Sequence, residues 1–352
     1  MRYARICKLF AAFTLLSFVS VAHAGMFGGK EDGFKEENLS KLKKNDVKRI
    51  VVPYFKVNVH TKLNKTSKAS GSIFGGGAKA KASMFVEWSD PDTKMLQQVA
   101  DDAWKTFEKQ LTAAGYEVVP LSKMIGSAAF KQLNGSTEPV QSDNMLSLAP
   151  SGMKLYDPMG KIDPNGSFFL GMGNMNGKLE SDIAREILGS MDGVAIARIT
   201  VNLAPGDFDA EGGGHYDGSA SASVGFVSVL TVPATSPTVT PELTGIELQT
   251  NFDSAKLPNG TEFSAPKDFT RLQLNALVRG EGQVSKLEET TTKTEKGAAA
   301  GVALFGALMG QSAGMEAGKF VAHVDGKAFR AESQKEIGKL AEQIEQKIAL
   351  GK

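Results

Sequence analysis

Cysteine is almost missing from this chain: the single residue is Cys7, and no thiol follows it anywhere in the 352-residue sequence. That excludes an intramolecular disulfide and any cysteine-based metal site in the body of the protein. Histidine is nearly as scarce, with four in all. His60, His215 and His323 are scattered over different expected elements, so no Ser/His/Asp arrangement can be assembled from them. A basic excess is lacking too, with 40 Lys and Arg against 39 Asp and Glu. Such a balance gives no electrostatic footprint for nucleic acid, and none is expected as a partner.

What is present begins with a leader. Arg2, Arg5 and Lys8 precede the apolar run "LFAAFTLLSFVSV", and "AHA" ends in a small-x-small pattern at Ala24. Residues 1–24 therefore read as a cleavable signal peptide, and export to a periplasm or outer membrane is expected. Gly25 stands where a lipoprotein would carry cysteine. Removing the three basic residues leaves 37 basic against 39 acidic, a net charge of −2.

After a charged lead-in at 25–46, "VKRIVVPYFKVNVH" (47–60) reads as a strand in which Phe55, Val57 and Val59 alternate with Lys56, Asn58 and His60. Pro53 cannot donate to a ladder, which implies a bulge or an edge there. Residues 61–83 form a small-residue excursion before a short strand, "MFVEW". A helix is expected over 91–114, capped by Asp90 with Pro91 at its first position and ended by Gly115. Its apolar stripe is Leu96, Val99, Ala103, Phe107, Leu111 and Ala114. A strand at 116–121 precedes a Gly- and Met-rich insertion at 125–177.

A helix at 179–191 and a strand at 193–204 come next, and an acidic link leads to 219–232, which is expected to form a hairpin with 193–204. Another strand lies within 269–289, and a short one, "KFVAHV", precedes a C-terminal helix with a capping box at Ser333 and Glu336. Its expected apolar stripe is Ile337, Leu340, Ala341, Ile344 and Ile348. The order predicts an α/β fold, with α+β as the variant: a mixed sheet with packed helices. The expected units are an α/β domain at 47–290, a Gly/Ala-rich segment at 291–319, and a final strand and helix at 320–352.

"RIVVPYF", "LTAAGYEVVPLSKM" and "DIAREILGSMDGVAIARITVNL" resemble the opening elements of the curli-secretion (CsgG-like) and TolB N-terminal domains. The resemblance covers 47–60, 91–124, 179–250 and the terminal helix. It implies an envelope protein that assembles, secretes or binds partners without catalysis. The lipobox cysteine of the secretion-channel branch is absent here, and the insertion at 125–177 is longer than the pattern.

Two clusters invite metal chemistry. Asp207, Asp209, Glu211 and Asp217 alternate like the first half of a calcium loop, but Gly218 stands where a bidentate Glu is needed. A solvated acidic hairpin loop is the plain account and weak Ca2+ binding the alternative; His215 adds only a transition-metal variant. Met145, Met153, Met159, Met172 and Met175 offer soft donors for Cu(I), against their commoner use as gap-fillers. "GMGNMNGK" at 171–178 lacks the Ser or Thr of a phosphate loop. No catalytic residue and no resident cofactor are expected.

Residues 297–315, "GAAAGVALFGALMGQSAGM", carry no charge over about 28 Å of helix. Five Gly and six Ala contribute little to membrane insertion. At helical spacing Ala299, Ala303, Gly306, Gly310 and Gly314 form a smooth face that another backbone can approach closely. A buried or self-associating helix is expected, with peripheral or conditional membrane contact as the variant. The sequence therefore points to a non-enzymatic envelope protein that binds an envelope partner or itself. The alternative is a periplasmic protein binding a metal or small ligand.

Overall fold

The structure is a computed structural model that describes residues 33–71, 79–123, 135–155, 186–189, 191–214, 219–237, 242–256, 262–291 and 315–351. Its centre is a mixed sheet with helices packed on it. The strand order is β1 (Phe34–Glu37), β13 (Glu262–Leu274), β12 (Gly245–Lys256), β8 (Val194–Leu203), β2 (Arg49–His60), β7 (Met145–Leu148) and β6 (Val140–Gln141). A further strand, β5 (Glu117–Val119), runs parallel to the start of β2.

The strand β2 shows why this sequence folds as it does. Val51 pairs with Ile196 of β8 and Tyr54 with Arg198, so β2 carries one extra residue at Val52–Pro53. A bulge tolerates proline because its extra residue makes no ladder bond. On the other edge, β5 pairs with Arg49–Val51 and β7 with Val57–His60, leaving Pro53 opposite neither. Because strand side chains alternate, the extra residue also resets the faces. Ile50 and Val52 before it, and Phe55, Val57 and Val59 after it, all enter one core. Tyr54, Lys56, Asn58 and His60 take the opposite side.

Two helices cover the apolar face: α2 (Thr93–Ala113) and α3 (Gly326–Leu350), while the short α1 (Ser40–Lys44) follows β1. The expected stripe on α2 is buried throughout, as is that on α3. Phe55 meets Trp104 and Phe107 edge-on, both at 5.6 Å between centroids. The helices are tied together by Arg330, whose Nε and Nη2 donate to Asp102 Oδ2 at 3.0 and 2.7 Å. At the end of α2, Gly115 takes φ of 87°, and the Tyr116 and Gly115 N–H groups return to the Leu111 and Thr112 carbonyls. This close-off needs a left-handed residue, which is why glycine stands there.

A second sheet has the order β15 (Ser285–Glu289), β16 (Met315–Val324), β4 (Lys79–Glu87), β3 (Lys62–Ser70). Against it packs the hairpin of β9 (Asp207–Gly214) and β10 (Ala220–Val227), sharing a small core of Val86, Phe208 and Ala322. The remaining pair is β11 (Val229–Val232) with β14 (Val278–Gln283).

Several expectations are corrected. The 61–83 excursion contains β3 and much of β4, which pair with each other along their length; its Lys-, Ser- and Thr-rich pattern hid them because one face is solvated. The hairpin is β9 with β10, whereas β8 lies between β2 and β12, so 193–204 does not pair with 219–232. Helix α2 is capped by Asp92, whose side chain accepts from the Lys94 and Met95 N–H groups, so Asp90 and Pro91 precede the helix. Helix α3 starts behind Asp325, which accepts from Lys327 and Ala328. Ser333 and Glu336 therefore lie inside it, buried, and form no capping box. Residues 140–148, assigned to the insertion, supply β6 and β7. The strand region 269–289 holds the end of β13, β14 and β15. Of the helix expected at 179–191, residues 186–189 are helical and most of the rest lies outside the described residues. The leader at 1–24 lies outside them as well.

Phe55→Ala removes the ring at the sheet–helix contact. The expected loss is about 3–5 kcal/mol of unfolding free energy, measured by urea denaturation, with a changed Trp104 emission in the folded state.

Candidate functional site

The face of the sheet away from the helices is polar where it would be cheaper to be apolar. On β2, Tyr54, Lys56 and Asn58 stand beside Arg198, Thr200 and Asn202 of β8, pair by pair in register. Buried amides need partners, and here they have them. Asn58 Nδ2 donates to Asn202 Oδ1 and to Glu242 Oε2, both at 3.0 Å, while Ser147 Oγ donates to Asn58 Oδ1 at 2.7 Å. Asn202 Nδ2 donates to the Glu242 carbonyl at 2.9 Å and to Thr244 Oγ1 at 3.0 Å. Lys56 Nζ reaches Glu242 Oε1 at 2.6 Å. The network anchors the loop around Glu242 over the end of the sheet, reinforced by the Ser236 hydroxyl, which accepts from Glu242 N–H.

Beside this network is a small cleft open to solvent, lined by Tyr54, Lys56, Arg198 and Thr200 from the sheet, Glu242, and Lys154 with Leu155. The Arg198 guanidinium lies over the Tyr54 ring, 5.2 Å from its centroid. Lys154 is exposed at the rim, and Leu155 is held by a two-way backbone bridge to Ser136. Among the described residues, three cations and one carboxylate line this opening.

At the far end of β2, His60 is 5% exposed and its Nε2 has no hydrogen-bond partner among the described residues. Burial disfavours the imidazolium and lowers its pKa to about 4. The ring is therefore neutral at ordinary pH.

The acidic group expected near 207–217 has a different setting from a loop. Asp207, Asp209 and Glu211 lie on strand β9, where alternate residues share a face at about 6.6 Å spacing. A calcium loop instead folds its ligands around one ion. Arg279 of β14 holds the first two: its Nη2 lies 2.7 Å from Asp207 Oδ2 and 2.8 Å from Asp209 Oδ1. These hydrogen bonds, Asp207 first, raise the Arg279 pKa. Asp217 and His215 lie outside the described residues.

The glycines after Glu211 have a packing reason. A Cβ at Gly214 would sit 1.9 Å from the Ser70 carbonyl oxygen, and one at Gly212 2.6 Å from that of Lys68. Two strands approach too closely there for any side chain.

Met145 and Met153 are buried in the core, while Met159, Met172 and Met175 lie outside the described residues. The same is true of Ala299, Ala303, Gly306, Gly310 and Gly314. Among the described residues no group of three or more His, Cys, Asp or Glu could hold a metal ion, and no helix is long and apolar enough to cross a membrane. Sequence reading missed the cleft, although the alternation of Lys56, Asn58 and His60 with apolar residues carried its signal. The matching alternation of Arg198, Thr200 and Asn202 in 193–204 went unused.

Two outcomes test this account. Unfolded His60 takes a proton near pH 6.5 and the folded ring only near 4. Its contribution to stability is thus full above 6.5 and lost as pH falls towards 4. Between pH 7 and 5 the expected loss is about 2 kcal/mol, and His60→Leu should flatten that slope in denaturant titrations. Gly214→Ala should cost about 2 kcal/mol, whereas Gly213→Ala, whose nearest obstacle is 4.0 Å away, should melt within a degree or two of the parent.

No family model matches the chain, and no curated protein or solved structure matches it.

Proposed function

We propose that the protein is an exported, non-enzymatic component of the cell envelope that binds or assembles with another envelope component, on a fold of the CsgG/TolB N-terminal kind. The export part rests on the leader, "MRYARICK" followed by an apolar run and "AHA". The assembly part rests on a convergence of chain ends in the second sheet. Ser70 of β3 pairs with Lys79 of β4, and Gly214 of β9 pairs with Ala220 of β10. Gly214 also abuts the Ser70 backbone. Met315 at the start of β16 pairs with Ala82 of β4, and the antiparallel β15 runs towards that same end.

Segments 72–78, 215–218 and 292–314 are consequently all attached at one end of the small sheet. The first reads "SIFGGGA", and the last contains most of the Gly/Ala run. Small and apolar residues of this kind favour close backbone contact with a partner. The observation that carries the reading is that the strand ends flanking these small-residue segments converge on one end of the small sheet.

The test is to fractionate cells expressing the full chain and size the purified product. The expected result is an oligomer, or co-isolation with an envelope protein. Gly306→Leu with Gly310→Leu should weaken that association on the order of tenfold. A strict monomer that co-isolates with nothing from envelope extracts overturns the reading.

A further inference from the structure

We infer that the open face of the small sheet docks on an anionic lipid surface through a lysine cluster, Lys68, Lys79 and Lys81. The inference stands apart from the assembly reading, because a single copy can lie on a membrane by this face.

Strand parity gives the small sheet two unlike faces. Leu63 and Ser67 of β3, with Met84 and Val86 of β4, face the β9–β10 hairpin. Val86 shares a core with Phe208, Leu63 and Met84 pack on it, and Ser67 Oγ donates to the Glu211 carbonyl at 2.5 Å. Alternate residues take the other side. There Lys68 stands opposite Lys81 and Ser70 opposite Lys79, while the Thr66 and Ser83 hydroxyls meet at 3.0 Å. Lys68, Lys79 and Lys81 are all exposed.

Elsewhere on this face Lys62 pairs with Glu87 at 3.3 Å, and His323 Nε2 lies 2.7 Å from Glu288. The three clustered lysines form no ion pair and no side-chain hydrogen bond among the described residues. Glu316 holds the register position beside Ser83, one acid against three cations. Residues directly opposite each other place their Cβ atoms about 5 Å apart, and like charges so placed repel. Lys79 stands about 6.6 Å further along the same strand. An anionic surface above the three relieves that repulsion.

The chemistry selects a lipid plane as the occupant. Lysine is a flexible point charge without the fork that grips one phosphate bidentately. Protein interfaces favour Trp, Tyr and Arg and are poor in Lys, and among the described residues this face holds none of those three. The chain leading away from this end is also uncharged. Ser70 and Lys79 are joined by "GSIFGGGA", and β16 starts beside Ala82 at Met315, the last residue of the uncharged run 297–315. Lysines flanking small and apolar stretches match a layer of anionic headgroups over an acyl boundary.

The experiment sediments the purified full chain with vesicles of phosphatidylcholine alone, or of about two parts phosphatidylcholine to one of phosphatidylglycerol, whose negative surface attracts lysine. Soluble polyglutamate forms a third arm. Partition onto the anionic vesicles should far exceed that onto the neutral ones. It should fall as salt approaches 1 M, where the Debye length is about 3 Å. Each lysine near such a surface is worth roughly fivefold, so Lys68→Gln, Lys79→Gln and Lys81→Gln together should lower partition on the order of a hundredfold. Lys286→Gln, at the other end of the same face, should bind nearly as the parent does. All four positions are exposed, so the variants should keep the parent melting temperature. Equal partition onto both vesicles, parent-like partition of the triple variant, or an equal loss in Lys286→Gln overturns the inference. Binding to polyglutamate with none to vesicles overturns it too, and assigns the cluster to an acidic protein.

Discussion

The bulge at Val52–Pro53 is the constraint on which the rest of this structure depends. A strand's faces are set by parity, so a single inserted residue exchanges everything after it. With the bulge, Ile50, Val52, Phe55, Val57 and Val59 share one side. A regular strand through the same residues would send Tyr54 and Lys56 into the helices and expose Phe55 and Val57. Two lysine- or tyrosine-sized polar groups buried without partners would cost several kcal/mol in total, comparable with the whole stability of a domain. The helix layer, with Phe107 and Trp104 against Phe55, therefore exists in its present form because one residue of β2 does not pair.

The same parity change builds the polar face. Once Asn58 and Asn202 face each other across β2 and β8, each must find donors and acceptors or destabilise the sheet. The solution is a shared carboxylate, Glu242, that accepts from both Lys56 and Asn58. The Glu242 main chain is held in turn by Asn202 and Ser236. A loop is thereby clamped onto a strand pair by polar contacts. Such networks specify geometry more than they add stability, because any half-satisfied member is costly.

How legible this was in the sequence differed by element. The helices were legible because their apolar stripes recur at helical spacing over several turns, and Leu96, Val99, Ala103, Phe107, Leu111 and Ala114 are all buried as that spacing demands. Their starts were less so. Asp90 and Asp92 are both competent caps, and nothing local separates them. Ser333 and Glu336 imitate a capping box within a helix that begins at Gly326. The bulge was legible from Pro53. Strands β3 and β9 were not, since their order depends on each other: Lys68 and Ser70 are approached by Gly212 and Gly214, and a glycine run reads as a loop when its neighbour is unknown. The cleft escaped for a related reason. Its residues come from four separate stretches of chain, and only the strand register brings Tyr54 to Arg198.

The most direct passage of the chain from one sheet to the other is between β2 and β3. Strand β2 ends at His60 and β3 begins at Lys62, so only Thr61 separates them. Thr61 is buried; its N–H donates to the Asn144 carbonyl at 2.9 Å, and its own carbonyl accepts from Trp88 at 2.7 Å. His60 beside it is buried and neutral. A buried junction bonded through both its backbone groups is held in place. Tyr54 and Lys56 of the cleft lie on the same strand, and the next strand leads to Ser70 at the end where the small-residue segments attach. The cleft on the large sheet and the converging strand ends of the small one are therefore joined by continuous strand backbone, with Thr61 alone between β2 and β3.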